Sequence, residues 1–249
     1  MPSLPPAPAR LPRIVLAGVR NPLNIGAAAR AMANFGLDDL VLVRPYSEAW
    51  KTAKSARAGQ AVLARARVAD SLVEALSGIS LALGTSAATG RKPEVALRVW
   101  PDALQEFDLR QPWALLFGSE KTGLTSGDLS FCQAVLRLKT TADSPSMNLG
   151  QAIAVCCYEL CQRRARAPAP ALAAPLAEFA DMPARERIVG AFVPLLEHLG
   201  VFRSQHRDSQ TRRLRRMLAH WQMTPGDARL LLGVARELRR VLGLHAPRG

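Results

Sequence analysis

Short runs that are apolar at nearly every position most constrain what this 249-residue chain can fold into. They fall at residues 13–18, 40–43, 79–83, 113–117 and 134–138. Each is too short for an ordinary helix and lacks the alternation of a strand with one solvated face. Between them lie stretches with helical spacing. Continuously apolar strands that alternate with helices specify an α/β fold: a parallel sheet covered on both faces.

The helical stretches carry their own punctuation. Residues 24–35 place small apolar side chains at helical spacing, and Gly36 is a natural stop. A polar, alanine-rich stretch predicts a helix over 48–58. Asp70 or Ser71 can cap a helix over 72–76, and Pro101 suits the first turn of a helix over 101–107. A helical turn is expected at 127–131 and a longer helix at 151–162. After residue 162 comes an arginine cluster, then an Ala/Pro run that reads as a linker. Three helical patterns follow, at 185–199, 208–221 and 227–242, with Thr224-Pro225 capping the last. The expected organisation is a loose tail (1–12), an α/β domain (13–165), a linker (166–182) and a small all-helical unit (183–249).

Charge bounds the partners. Lys plus Arg number 33 against 20 Asp plus Glu, a net charge of +13 with a pI near 10.9. Such an excess points to a polyanion, nucleic acid first and an acidic membrane surface second. In the second tail helix Leu214, Met217, Leu218 and Trp221 form an apolar stripe, while Arg212, Arg213, Arg215 and Arg216 crowd the remaining surface. No glutamate of that helix pairs with them, which favours a phosphate-contacting face. No apolar run approaches the ~20 residues of a membrane span, and no signal-peptide stretch opens the chain. Cys132, Cys156, Cys157 and Cys161 lack zinc-ligand spacing and read as buried thiols in a reducing cytosol. His198, His206, His220 and His245 form no cluster, so no metal is expected.

Three separated loops share one design: a buried strand, a Gly/Asn/Ser turn rich in free amides, then a helix start. They are residues 18–30, 115–124 and 140–150. Within them stand Asn24 and Arg30, the Phe117-Gly118-x-Glu120-x-x-Gly123-Leu124 run, and Ser146-x-Asn148-Leu149. In one α/β chain such loops predict a single composite pocket at the strand ends. No G-x-G-x-x-G follows the first strand, so a dinucleotide site is not supported.

Taken together and in this order, the three loops resemble the motifs of the SpoU branch of the SPOUT RNA methyltransferases, over about residues 13–162. The resemblance implies a deep trefoil knot near the end of the α/β domain, which periodicity would never suggest. It implies a homodimer whose pocket draws on both subunits, with S-adenosylmethionine as cofactor. Thr85, Ser86, Ala87, Gly118, Leu138, Pro145, Ser146 and Met147 become the cofactor-binding positions. Within that branch the Gly84-Thr85-Ser86-Ala87 loop and the helical tail imply a tRNA ribose 2′-O-methyltransferase acting on a pyrimidine at position 32. A non-catalytic RNA-binding platform and a ribosomal RNA methyltransferase are the alternatives.

The same resemblance assigns roles. Arg30 engages a substrate phosphate and the reacting hydroxyl. A guanidinium with a pKa above about 12 is a poor base, so electrostatic anchoring outranks proton abstraction. Asn24 is either a helix cap or a partner of Arg30 or substrate. Glu120 orients Arg30 or Asn24 across the pocket or caps a backbone loop, Ser146 is the alternative proton relay, and Asn148 ties the third loop to its neighbours. Arg20 joins Arg30 and the four tail arginines as the expected RNA contacts.

Overall fold

The computed structural model describes residues 10–46, 50–51, 58–87, 95–166 and 178–244. Most of the expected tail, most of the helix over 48–58, most of the linker and His245 lie outside them. Seven strands form one sheet: β1 (Arg13–Ala17), β2 (Leu40–Val43), β3 (Arg67–Ala69), β4 (Leu81–Thr85), β5 (Leu97–Val99), β6 (Trp113–Phe117) and β7 (Ala134–Arg137). Their order is β3-β2-β1-β6-β4-β7-β5, and every pairing is parallel.

Alternate side chains of each central strand feed opposite cores. Ile14, Leu16, Trp113, Leu115 and Phe117 enter one cluster, with α1 (Pro22–Asn34), α2 (Gln60–Arg65) and α5 (Leu149–Arg166). Val15, Val41, Ala82, Ala114 and Leu116 enter the other, with α3 (Leu72–Ala75) and the turn α4 (Ser126–Leu129) near it. That two-sided burial is why these strands read as continuously apolar. The short edge strands β3 and β5 are mostly exposed and carry no such signal, and sequence reading missed both.

Local chemistry sets the element ends. Asn21, not Asn24, caps α1: its side chain accepts from the Leu23 amide, with Pro22 following. The cap assignment therefore moves three residues, and Asn24 is released for other work. Gly36 adopts φ 75° just past the helix, a conformation that glycine takes without a Cβ penalty. Ser71 caps α3. Pro101 stands at the cap of a 3-10 turn over Asp102–Glu106 rather than inside an α-helix. Strand β4 begins two residues later than expected, because Ser80 turns its hydroxyl to Gln111 and the Pro112 carbonyl. Helix α5 begins two residues earlier than expected.

The tail holds α6 (Met182–His198), α7 (Arg207–His220) and α8 (Pro225–Val241). Thr224 and Asp227 close a reciprocal capping box at α8, as Thr224-Pro225 foretold in part. These helices share an apolar cluster around Ile188, Val193, Leu218 and Met223. They also engage the sheet. Met182 enters the second sheet core, and its amide donates to the Ile79 carbonyl. Arg185 is buried, with Nη1 donating to the Ser80 carbonyl at 2.9 Å and Nη2 to the Trp221 carbonyl at 3.2 Å. Burial lowers its pKa to about 10, still leaving it charged at neutrality.

The expected stripe on α7 is corrected. Leu214 and Leu218 pack inward, but Met217 and Trp221 are about half exposed. Arg215 takes the inward place. It binds Glu186 of α6 with both Nε and Nη2 at 2.7 Å, donates to Ser130 Oγ, and lies over the Phe131 ring at 4.4 Å. Its acidic partner comes from another helix, which single-helix charge counting cannot see. Arg215 is thus a packing clamp rather than a solvent-facing phosphate contact. Removing it leaves Glu186 half-buried without its cation. Arg215→Ala should cost about 2 kcal/mol in urea denaturation. Arg213→Ala, at an exposed site, should stay within about 0.5 kcal/mol.

Of the cysteines, Cys132, Cys156 and Cys157 are buried and Cys161 is half-buried. Burial pushes the Cys157 thiol up to about 12, and lifts Cys132 and Cys156 as well. Below those values each thiol stays protonated and unreactive. In the folded protein at pH 8 a thiol-disulfide reagent should therefore titrate Cys161 alone, and in guanidinium all 4 thiols. A second fast-reacting group in the folded state would contradict the packing of α5 or of the segment after α4 that holds Cys132.

Candidate active site

In the sheet order, β1, β6, β4 and β7 are adjacent. Their carboxyl ends emerge side by side, so the loops that follow them must meet. They do, around a cavity of about 1080 Å³. Thr85, Ser86 and Ala87 line it from the end of β4, and Gly118 from β6. Leu138, Pro145, Ser146 and Met147 line it from the loop after β7. All the positions expected to hold a cofactor are thereby brought to one place.

The loops are tied by a hydrogen-bonded chain of side chains. Asn24 Nδ2 donates to Glu120 Oε1 at 2.6 Å, and Asn148 Nδ2 donates to Asn24 Oδ1 at 3.3 Å. Asn148 Oδ1 in turn accepts from the Gly150 amide at 2.9 Å, capping α5. One carboxamide, that of Asn24, therefore joins the second loop to the third. Thr85 Oγ1 donates to the Leu116 carbonyl, and the Ser86 amide to the Leu136 carbonyl, fixing the β4 loop against both neighbouring strands.

Backbone proximity shapes the second loop. The Gly123 amide bonds the Ser119 carbonyl at 2.8 Å, folding the segment back on itself. A Cβ on Gly118 would overlap the carbonyl carbon of Gly123 and the amide of Leu124. Glycine is required there for close approach rather than for an unusual φ. Across the site, a Cβ on Gly150 would come within 2.7 Å of the Ala27 Cβ, so α5 and α1 cross with little between them.

Sequence reading overlooked Thr140. It lines the cavity, and its buried hydroxyl has no hydrogen-bond partner among the described residues. Its only signal was its place in the polar loop after β7. Arg216 of α7 also lines the cavity, although it was assigned only to an outer RNA face.

Arg30 does not line it. From Asn24, six residues along a helix turn the side chain about 120° away and carry it about 9 Å down the axis. Arg30 is exposed on α1, without a hydrogen bond or ion pair among the described residues. Arg20 is exposed as well, 5.9 Å from the Tyr46 ring. Among the described residues no group of three His, Cys, Asp or Glu could hold a metal ion, and no helix is long and apolar enough to cross a membrane.

This arrangement of loops has known counterparts. The model of the SpoU rRNA Methylase family matches residues 12–158. The chain belongs to that family. A tRNA (cytidine/uridine/adenosine-2′-O-)-methyltransferase TrmJ of Pseudomonas aeruginosa is 40% identical over 158 residues, 59% of each chain. A tRNA (cytidine/uridine-2′-O-)-methyltransferase TrmJ of Yersinia enterocolitica is 31% identical over 242 residues, covering 92% of this chain and 91% of its own. The crystal structure of TrmJ from Z. mobilis ZM4 is similar with a TM-score of 0.78 at 26% identity, over 92% of this chain and 100% of that one. The last two matches extend through the tail helices, beyond the SpoU segment itself.

Within the SpoU frame, the second loop is the part least able to accept change. Gly118→Ala forces the 118–124 turn apart. Overpacking of this kind costs about 1–3 kcal/mol, so the thermal midpoint should fall on the order of 5 °C. An unchanged midpoint would show that the turn tolerates a Cβ.

Proposed function

We propose that the chain is a tRNA (cytidine/uridine-2′-O-)-methyltransferase that uses S-adenosylmethionine. The observation that carries this is the convergence of three sequence-distant loops on one cavity, joined through Glu120, Asn24 and Asn148. The similarity to tRNA 2′-O-methyltransferases over nine-tenths of the chain supports the substrate class, with position 32 the expected nucleotide. The net charge of +13 suits a polyanion.

The cavity's residues fit the cofactor. It is large enough for a nucleoside with an amino-acid arm. The Thr140 hydroxyl, buried without a hydrogen-bond partner among the described residues, suits a polar ligand. Gly118 lets the 118–124 turn close at the cavity wall, and Leu138 and Met147 supply apolar walls. Thr85, Ser86, Ala87, Pro145 and Ser146 complete the binding set. When bound, S-adenosylmethionine supplies an electrophilic methyl group.

The chain's own task is to align the ribose hydroxyl and manage its proton. Ser146, exposed at the cavity, is the relay candidate. Glu120, held by Asn24, places negative charge where a sulfonium is favoured. Arg30 anchors the substrate phosphate and stabilises developing alkoxide. It does so across a homodimer, from one copy to the cavity of the other. Leu23, seven residues earlier and so on the same face of α1, is exposed, as are Val155 and Tyr158 of α5. That apolar surface suits a second copy.

Several finer readings go with this one. The α/β part over 13–165 performs the chemistry, and the helical unit over 183–249 grips the tRNA, with Arg20, Arg212 and Arg213 as phosphate contacts. A trefoil knot is supported by β7 lying between β4 and β5 and by α5 returning to α1. The site of action is the cytoplasm. The test is methyl transfer to unmodified tRNA: wild type should incorporate label, and Arg30→Ala should lose on the order of 10²-fold or more in kcat/KM. Binding of tRNA without cofactor binding or turnover would point instead to an RNA-binding platform. Labelling of ribosomal RNA in place of tRNA would change the substrate alone.

A further inference from the structure

The arginines of α7 are not equivalent. Arg213 faces solvent, and Arg215 is held by Glu186, Ser130 and the Phe131 ring. Those contacts fix α7 against the residues that follow α4. The next residue, Arg216, is half-buried and lines the cavity, as do Ser126 and Leu129 of α4. Among the described lining residues Arg216 is the only cation and Glu120 the only acid. Glu120 belongs to the Asn24–Asn148 chain. Arg216 arrives from a helix more than sixty residues farther along the sequence. The described lining therefore offers one group of each sign, carried by different elements.

A ligand suited to a lining with both groups carries both signs. S-adenosylmethionine has a sulfonium and an ammonium, and a single carboxylate. A guanidinium beside the sulfonium would repel it, whereas a guanidinium beside the carboxylate can donate two parallel N–H bonds. We infer that Arg216 binds the carboxylate of the cofactor's amino-acid arm, so that the tail helix completes the cofactor site. This rests on the cofactor reading given above. A tRNA phosphate is the rival partner for the same group. Its half-buried place in the wall beside the cofactor loops favours the carboxylate, while exposed Arg20 and Arg213 are better placed for a polyanion arriving from solvent.

Calorimetry on the full chain separates the possibilities. Wild type, Arg216→Gln and Arg216→Lys are titrated with S-adenosylmethionine and with decarboxylated S-adenosylmethionine, with thermal midpoints recorded to confirm folding. Arg216→Gln should bind S-adenosylmethionine about tenfold or more weakly and the decarboxylated form within about twofold of wild type. Arg216→Lys should recover part of the loss. An equal loss for both ligands, or no loss for either, overturns the inference. So does an unchanged cofactor affinity with weakened tRNA binding, which would identify a phosphate contact. Failure of the wild type to bind either ligand is a separate result and removes the methyl-transfer reading itself.

Discussion

Because every pairing in the sheet is parallel, each strand delivers the chain to the same edge, and each return needs a crossover. Two consequences follow. The crossovers cover both faces, so the strands must be apolar on both sides. The loops at the carboxyl edge have nowhere to go except toward one another. With β1, β6, β4 and β7 adjacent, segments more than a hundred residues apart in sequence come within hydrogen-bonding distance, as Asn24 and Asn148 do. The cavity is thus a product of strand order before it is a product of any single side chain.

The same logic explains how much could be read from the sequence. The central strands announced themselves because two-sided burial leaves polar residues only at their ends, as at Arg13, Thr85 and Arg137. The edge strands Arg67–Ala69 and Leu97–Val99 bury little and left no trace. Helix ends were legible where a cap and a proline coincide, as at Thr224-Pro225. The same pairing at Asn21-Pro22 opens α1, but it was passed over for Asn24, three residues on, whose side chain is turned to Glu120 instead. Tertiary charge pairing was invisible. Arg215 looked like a surface cation because Glu186 lies 29 residues away.

For the site, spacing identified the loops and the positions around the cavity, yet not how each side chain is aimed. Arg30 and Asn24 share one motif, but a helix separates them by a third of a turn. One faces the cavity and the other faces outward. Thr140 and Arg216 were underestimated for opposite reasons. A threonine in a polar loop is unremarkable in sequence. An arginine among five on a basic helix offers no hint that it alone turns inward to the cavity.

The central carboxamide also sets a limit on chemical drift. Asn24 gives its amino group to a carboxylate and its oxygen to another amide, so its two ends are not interchangeable. Hydrolysis of that one group to an acid would set two anions face to face across 2.6 Å, in place of a donor and an acceptor. The lesion changes a single heavy atom and leaves volume, helix and fold nearly untouched. It would nonetheless part the second loop from the third, which makes this position a point at which an ageing protein can go silent while still looking intact.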